Sequence, residues 1–288
     1  MINIRNGLIV IIGGGVLALI VSCGSSSSGG GATAAATVVR SADLTGGAEN
    51  PPVVTAATGR GAVVVNPTTM EITGGITFSG LTPSMGGHHI HQAPIGDPTA
   101  NGPIIINLLL ASDGMTAVVP PNTTLTQAQN NALLAGELYF NVHTAANSTG
   151  EIRGQINVSG GVIAAVVSLN GTQEVPSVTT SAAGKGTLVV DELTRDILIS
   201  YVTHDVVNAG PAHIHTGTGP GFIGSPIVPF TIFDTNFDNM GTNLTAPPAG
   251  SQMPAGGVSN FLINYLYFNV HSMAHTGGEI RGDIRALP

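Results

Sequence analysis

The chain has 288 residues, with 8 Lys plus Arg against 16 Asp plus Glu, a formal net charge of −8, 42% apolar residues, 40 Gly, 18 Pro and one Cys. Charge this sparse excludes a solvated disordered tail, a charge-rich coiled coil and a basic nucleic-acid surface, and the lone cysteine excludes internal disulfides, thiolate zinc sites and CxxC redox chemistry. Gly and Pro at this level favour many short strands joined by tight turns, in a length that suits one large or two ordinary domains, and the nine histidines outnumber Lys and Arg together.

Residues 1–22 read as a secretory signal: Arg5 near the amine, an apolar run over 8–21, and Ser22 before Cys23. That run is short of the roughly 20 residues a spanning helix needs. The ending Ile20-Val21-Ser22-Cys23 resembles a bacterial lipobox, in which the signal is cut before the cysteine and the cysteine is acylated. The expectation is a palmitate-bearing Cys23, a Ser/Gly/Ala tether over 23–41, and a lipid-anchored protein of the bacterial envelope, at the outer membrane or cell surface. Gly24 after the cysteine resembles the signal for outer-membrane export.

The rest is written twice. Leu44, Glu49 and Pro51 recur as Leu169, Glu174 and Pro176, and Gly59-Arg60-Gly61 recurs as Gly184-Lys185-Gly186, each running into a β-branched stretch. His89-Ile90-His91 returns as His213-Ile214-His215. Leu-Tyr-Phe-Asn-Val-His over 138–143 returns unchanged over 266–271, and Gly-Glu-Ile-Arg-Gly over 150–154 returns over 278–282. The predicted domains are 42–159 and 162–288, joined near Gly160-Gly161. Alternating or β-branched runs at 162–169, 186–190 and 196–202 predict strands. A capping box at Thr126 and Gln129 predicts a short helix ended by Gly136, and Ser259 is read as the start of a corresponding turn. The predicted fold class is all-β: two tandem antiparallel Greek-key sandwich or barrel domains, each with a short helical insertion.

Strand parity then sorts the side chains. His89 and His91 point one way and Ile90 the other; Leu138, Phe140 and Val142 form a core face, and Tyr139, Asn141 and His143 the opposite one. His89, His91 and His143 are therefore expected to converge on one patch of the sheet's outer surface, as are His213, His215 and His271. His88, His204 and His275 have no counterparts. Three neutral imidazoles on a rigid sheet predict a metal site with copper as the first candidate and zinc the alternative. The competing reading is structural, with the rings bonded to backbone carbonyls to lock loops. Glu151 with Arg153, and Glu279 with Arg281, are expected either as ion pairs or arginine forks that pin loops, or as an anion-attracting lining. Glu49 and Glu174 are read as turn or strand-edge anchors. No catalytic set emerges: there is no Gly-x-Ser-x-Gly elbow, no recurrent carboxylate pair of glycosidase type, and no phosphate-cradling loop.

These blocks resemble the CHRD domain family, named for chordin and also present in secreted bacterial proteins. The marks are Leu-x-Gly-x-x-Glu-x-Pro with its Gly-x-Gly turn, Ala-His-Ile-His over 212–215, and Tyr-x-Asn-Val-His followed by Gly-Glu-Ile-Arg-Gly, covering about 42–287 as two copies. The resemblance implies an extracellular β-rich module with a role in binding growth factors in animals and no settled bacterial activity, and the partner expected for this chain is an extracellular protein or matrix component. His-x-His on one strand with a later Val-His is also similar to the copper-ligand layout of Cu/Zn superoxide dismutases, and by that likeness His89, His91, His143, His213, His215 and His271 would be copper ligands. The chain lacks the bridging histidine, the zinc loop and the disulfide of those enzymes. The functional expectation is a non-enzymatic surface lipoprotein that binds a partner and, through its histidine patches, a metal. The alternatives are a copper-dependent dismutase-like enzyme and a purely structural envelope protein.

Overall fold

The computed structural model describes residues 36–82, 85–158 and 160–287. The signal segment, Cys23 and the tether as far as residue 35 lie outside the described residues. Among the described residues no helix is long and apolar enough to cross a membrane.

The first repeat contains β1 (Val38–Thr45), β2 (Thr58–Val65), β3 (Ile72–Ser79), β4 (Met85–Gln92), β5 (Ile104–Asn107), β6 (Leu109–Leu110), β7 (Thr116–Val118), α1 (Gln127–Leu134), β8 (Leu138–Thr144) and β9 (Ile152–Gln155). The second contains β10 (Val162–Asn170), β11 (Ala183–Asp191), β12 (Ile197–His204), β13 (Ala209–Thr216), β14 (Pro226–Phe230), β15 (Ile232–Asp234), β16 (Asn243–Ala246), α2 (Gly257–Leu262), β17 (Leu266–Ser272) and β18 (Ile280–Ile284). The fold is all-β. Each repeat is one antiparallel sheet, ordered 5-4-8-9-1-2-3-7-6 in the first and 14-13-17-18-10-11-12-16-15 in the second. The return of β9 to the side of β1, next to the β1-β2-β3 meander, is a Greek-key connection. The two outermost strands, β5 and β6, are one chain segment interrupted at Leu108, and β14 and β15 are one segment interrupted at Thr231. One stretch of chain thus supplies both edges of its sheet, which nearly closes the barrel and leaves little free edge.

Each barrel encloses its own core. Leu44, Ile76, Ile90, Leu138, Phe140, Val142 and Ile152 are fully buried in the first, and Leu188, Ile214, Phe268, Val270, Ile280 and Ile284 in the second. Burying Phe140 or Phe268 contributes on the order of 2–3 kcal/mol. A third apolar cluster joins the repeats: Ala62, Val64 and Val118 pack with Val189, Leu198, Ile199 and Tyr201. Its existence explains why β2 and β11 read as unbroken apolar runs, since Val63 and Val65 face their own barrel while Ala62 and Val64 face the other. At its margin Gly74 N–H donates to the Tyr201 hydroxyl (3.1 Å), and the ion pairs Arg60 with Asp196 and Lys185 with Glu71 cross between repeats.

The helix α1 begins where its capping box places it. Gln129 N–H donates to Thr126 Oγ1 (3.2 Å), Thr126 N–H donates to Gln129 Oε1 (2.8 Å), and Gly136 follows at φ 73°, the left-handed position that stops the helix. The second helix departs from expectation. Ser259 lies inside α2, which starts at Gly257 after a left-handed Gly256 with no side-chain cap.

Candidate metal centre

The register of β4, β8 and β9 builds the site. His89 pairs with Asn141 and Asn141 with Arg153; His91 pairs with Tyr139 and Tyr139 with Gln155. In the second repeat the rows are His213, Asn269, Arg281 and His215, Tyr267, Asp283. Period-2 alternation puts all these side chains on the face opposite the core, with His143 and His271 one step further along. The expectation of an outer-surface patch needs one correction. The face is largely roofed: Tyr139, Asn141 and Arg153 are 1%, 2% and 2% exposed. The roof is the β4–β5 connection. Arg153 donates to Pro98 O (2.7 Å), Ala100 O (3.2 Å) and Asn101 Oδ1 (3.0 Å), and Gly102 N–H donates to the Tyr139 hydroxyl (2.9 Å).

Beneath the roof the six recurrent histidines form two groups, His89 with His91 and His143, and His213 with His215 and His271; in each, one nitrogen per ring lies within 4.8 Å of the others. His91 and His215 are buried and the other four half-buried, so each group is open on one side. Hydrogen bonds fix the tautomers of two rings in each. His91 Nδ1 bonds Gly102 O (2.9 Å) and His143 Nδ1 bonds Ser148 O (3.0 Å); His215 Nδ1 bonds Gly224 O (2.9 Å) and His271 Nδ1 bonds Thr276 O (3.0 Å). A carbonyl only accepts, so these Nδ1 atoms carry the protons and the Nε2 atoms are bare. The bare Nε2 atoms of His91 and His143 then meet at 3.4 Å, and in the second repeat His213 Nδ1 meets the bare His271 Nε2 at 3.4 Å. Two nitrogens on one tetrahedral ion, with bonds of about 2.0–2.1 Å, are separated by about 3.3–3.4 Å. His89 Nδ1 and His215 Nε2 are buried and unpartnered in the protein.

Burial holds the rings neutral. It lowers the pKa of His89 and His215 to about 4, with neighbouring histidines adding to the effect, and lowers those of His91, His143, His213 and His271. The carbonyl bonds oppose the shift without cancelling it. Neutral imidazoles are the form that ligates a cation.

The three non-recurrent histidines stay outside both groups. His88 stacks on Phe78 in the core (5.3 Å between ring centres); in the second repeat His204 stands at the position of Phe78 and Ala212 at that of His88. His275 occupies the turn position held by Asn147, each carbonyl accepting from the residue three before it.

Behind each ligand group stands a column of rings. Tyr139 stacks on His91 (5.0 Å, 14°) and carries the Arg153 guanidinium 3.5 Å above its other face; Tyr267 stacks on His215 (4.9 Å, 20°) under Arg281 at 3.6 Å. Arg281 is bound by Asp283 (2.8 and 3.0 Å) and Phe222 O (3.0 Å). Of the two loop-pinning roles expected, the arginine bonds to loop carbonyls are present in both repeats, whereas the ion pairs of Glu151 with Arg153 and of Glu279 with Arg281 do not form. Glu151 accepts instead from Thr55, Thr82 and Thr144 hydroxyls (2.8, 2.6 and 2.8 Å), and Glu279 from Thr180 (2.7 Å). Burial pushes the Glu151 carboxyl up, but the bonds from the threonines outweigh it and hold the pKa at about 2. As an anion-attracting lining the arginines are poorly placed, because each is almost fully buried and a tyrosine ring separates it from the histidines.

Glu49 and Glu174 are buried against Asn141 and Asn269, which donate to them at 3.4 and 3.2 Å. Burial raises both carboxyls to about 7 against the pull of Arg153 and Arg281 and of the asparagines. Gly150 (φ 135°) and Gly278 (φ 130°) close over these pairs, and a Cβ at either would run into the Glu and Asn side chains.

The sequence reading put Tyr139 on the histidine face but gave neither it nor Tyr267 a role, and it missed the loop glycines Gly102 and Gly224. The tyrosines share parity with the histidines in a block repeated letter for letter, and that signal was sufficient to find them. The glycines gave none, because Gly102 follows His91 by 11 residues and Gly224 follows His215 by 9.

No similar curated protein and no similar solved structure was found. The family model of the CHRD domain matches residues 40–156 and again 165–284, one match on each barrel. With both its repeats matched and the repeated blocks accounted for in the same folded positions, the chain belongs to the CHRD domain family.

Proposed function

We propose that this protein is a non-enzymatic envelope lipoprotein in which each CHRD domain holds one transition-metal ion, through His89, His91 and His143 in the first and His213, His215 and His271 in the second. One observation carries the reading: the bare Nε2 atoms of His91 and His143 face each other at 3.4 Å. A purely loop-locking role accounts for the Nδ1 bonds but leaves this contact between two lone pairs unexplained, whereas a shared cation satisfies both. An all-nitrogen ligand set favours copper on intrinsic affinity, with zinc next. The purified protein, exposed to Cu(II) or Zn(II) and freed of excess ion, should retain one ion per histidine triplet by elemental analysis; uptake of neither overturns the reading.

The dismutase-like alternative draws on the open side of each group, where a small oxidant could reach the metal. Among the described residues each group contains histidines alone, with no fourth ligand to bridge to a second ion. A superoxide assay on copper-loaded protein separates holding from catalysis.

Anchoring rests on the lipobox at 20–23 and its Ser/Gly tether. Cys23→Ala should release the protein from membranes and abolish its labelling by palmitate. For a protein or matrix partner, the roofing loops expose Ile95, Phe222 and Ile223, which makes them the surface to probe.

A further inference from the structure

We infer that Tyr139 and Tyr267 are positioning residues that determine which nitrogen of His91 and of His215 carries the proton, and so aim a bare Nε2 at each candidate metal centre. The tautomer itself stands on the hydrogen-bond geometry; its consequence for metal affinity rests on the function proposed above.

Each tyrosine hydroxyl grips one glycine by both of its backbone groups. Gly102 N–H donates to Tyr139 Oη at 2.9 Å and the same hydroxyl reaches Gly102 O at 3.5 Å; Gly224 N–H donates to Tyr267 Oη at 3.1 Å and the hydroxyl donates to Gly224 O at 3.3 Å. These are the carbonyls that receive the Nδ1 protons of His91 and His215, each at 2.9 Å. The hydroxyl therefore places the acceptor, and the acceptor selects the tautomer, since the proton of a neutral imidazole follows the hydrogen bond its other nitrogen makes.

The ring is itself immobilised. One face lies on the histidine it controls and the other under an arginine whose fork is tied to Pro98, Ala100 and Asn101, three residues of the loop that carries Gly102. The circuit is closed: loop, arginine, tyrosine, histidine, glycine, loop. The glycine is obligatory at its corner, because a Cβ on Gly102 would strike the main chain of Gln92, and one on Gly224 the main chain of Thr216. The arrangement unites three repeated blocks, the His-x-His, the Tyr-x-Asn-Val-His and the Gly-Glu-Ile-Arg-Gly, in one device. It recurs although the two loops differ in length, so it does not depend on a particular loop sequence.

The test reads the tautomer directly. Long-range proton–nitrogen NMR of the metal-free, 15N-histidine-labelled protein at pH 8 should show His91 and His215 protonated on Nδ1. Tyr139→Phe keeps the stack and removes the hydroxyl; it should turn His91 into a tautomer mixture and leave His215 unchanged, with Tyr267→Phe giving the reverse. The untouched repeat reports in each case that the protein is folded. Copper affinity should fall about 10–100-fold at the altered repeat alone, the usual effect of losing an outer-shell partner. A wild-type His91 protonated on Nε2 overturns the inference whether or not either variant folds, and so does a wild-type-like His91 spectrum in Tyr139→Phe. Wild-type protein that shows the Nδ1 tautomer and its loss in the variant, yet takes up no metal, sinks the proposed function and leaves the tautomer control standing.

Discussion

The Nε2 atoms of His91 and His143 lie 3.4 Å apart although neither has a proton to share, because both rings have already given Nδ1–H to the backbone, His91 to Gly102 and His143 to Ser148. Two lone pairs held face to face by rigid strands are unfavourable until something positive comes between them. The second repeat gathers its triplet through a different pair, His213 Nδ1 lying 3.4 Å from the bare Nε2 of His271, and each repeat serves as the control for mutations in the other.

The buried carboxyls make stability fall toward alkaline pH. Glu49 and Glu174 are raised from 4.5 to about 7 in the folded protein, so their contribution is fully present below about pH 4.5 and is lost as pH rises through 7. The span is on the order of 1–3 kcal/mol per carboxyl after allowance for solvent screening. Thermal unfolding of wild type should shift to lower temperature between pH 5 and 8, and Glu49→Gln with Glu174→Gln should flatten that slope. An equal slope in the double variant would show that other groups set it.

Buried histidines act on the opposite limb. Burial lowers His88 and His204 to about 4. A base with a depressed pKa stabilises the fold above its unfolded value of 6.5, and that contribution is lost as pH falls through 4. His204→Phe installs the residue that the first repeat carries at this position. It gives up the bond from Val206 N–H (3.2 Å), about 1 kcal/mol at neutral pH, and in return should lower the sensitivity to acid. Urea unfolding at pH 7 and pH 4.5 measures both effects.

Gly150 and Gly278 leave no room for a side chain. Ala at Gly150 meets a left-handed backbone and the Glu49 and Asn141 side chains together, and should cost at least about 2 kcal/mol in chemical denaturation. A loss below about 0.5 kcal/mol would mean that the β8–β9 turn can relax.

The shared apolar cluster couples the barrels. Tyr201 is buried between them and accepts from Gly74 N–H, so Tyr201→Phe strands a buried donor and should cost about 1–3 kcal/mol. Wild type should unfold in a single transition by calorimetry; two transitions with unchanged individual midpoints would show the interface to be energetically idle.

Much of this arrangement was legible in the letters. Strand parity separated Phe140 from His143 and Ile90 from His91, and the duplication singled out six of the nine histidines. Parity says which face a residue takes but not what covers it, so the histidine patch read as outer surface, whereas Arg153 on the same face is almost fully buried under the loop over Pro98 and Asn101. Spacing left open whether Arg153 bonds loop carbonyls, as it does, or pairs with Glu151. Three threonines from separate parts of the chain claim Glu151 instead, and only the folded barrel brings Thr55, Thr82 and Thr144 together. The start of α2 was misplaced because its capping position is a left-handed glycine, which carries no capping side chain to recognise.

The most direct test of the account is metal content by elemental analysis after exposure to Cu(II) and removal of free ion, in wild type and in the pairs His91→Ala with His143→Ala and His215→Ala with His271→Ala. The account predicts one ion per histidine triplet in wild type, and in each paired variant loss of the ion from the altered repeat only. Wild type without stoichiometric metal, or paired variants that retain the full wild-type content, would contradict it.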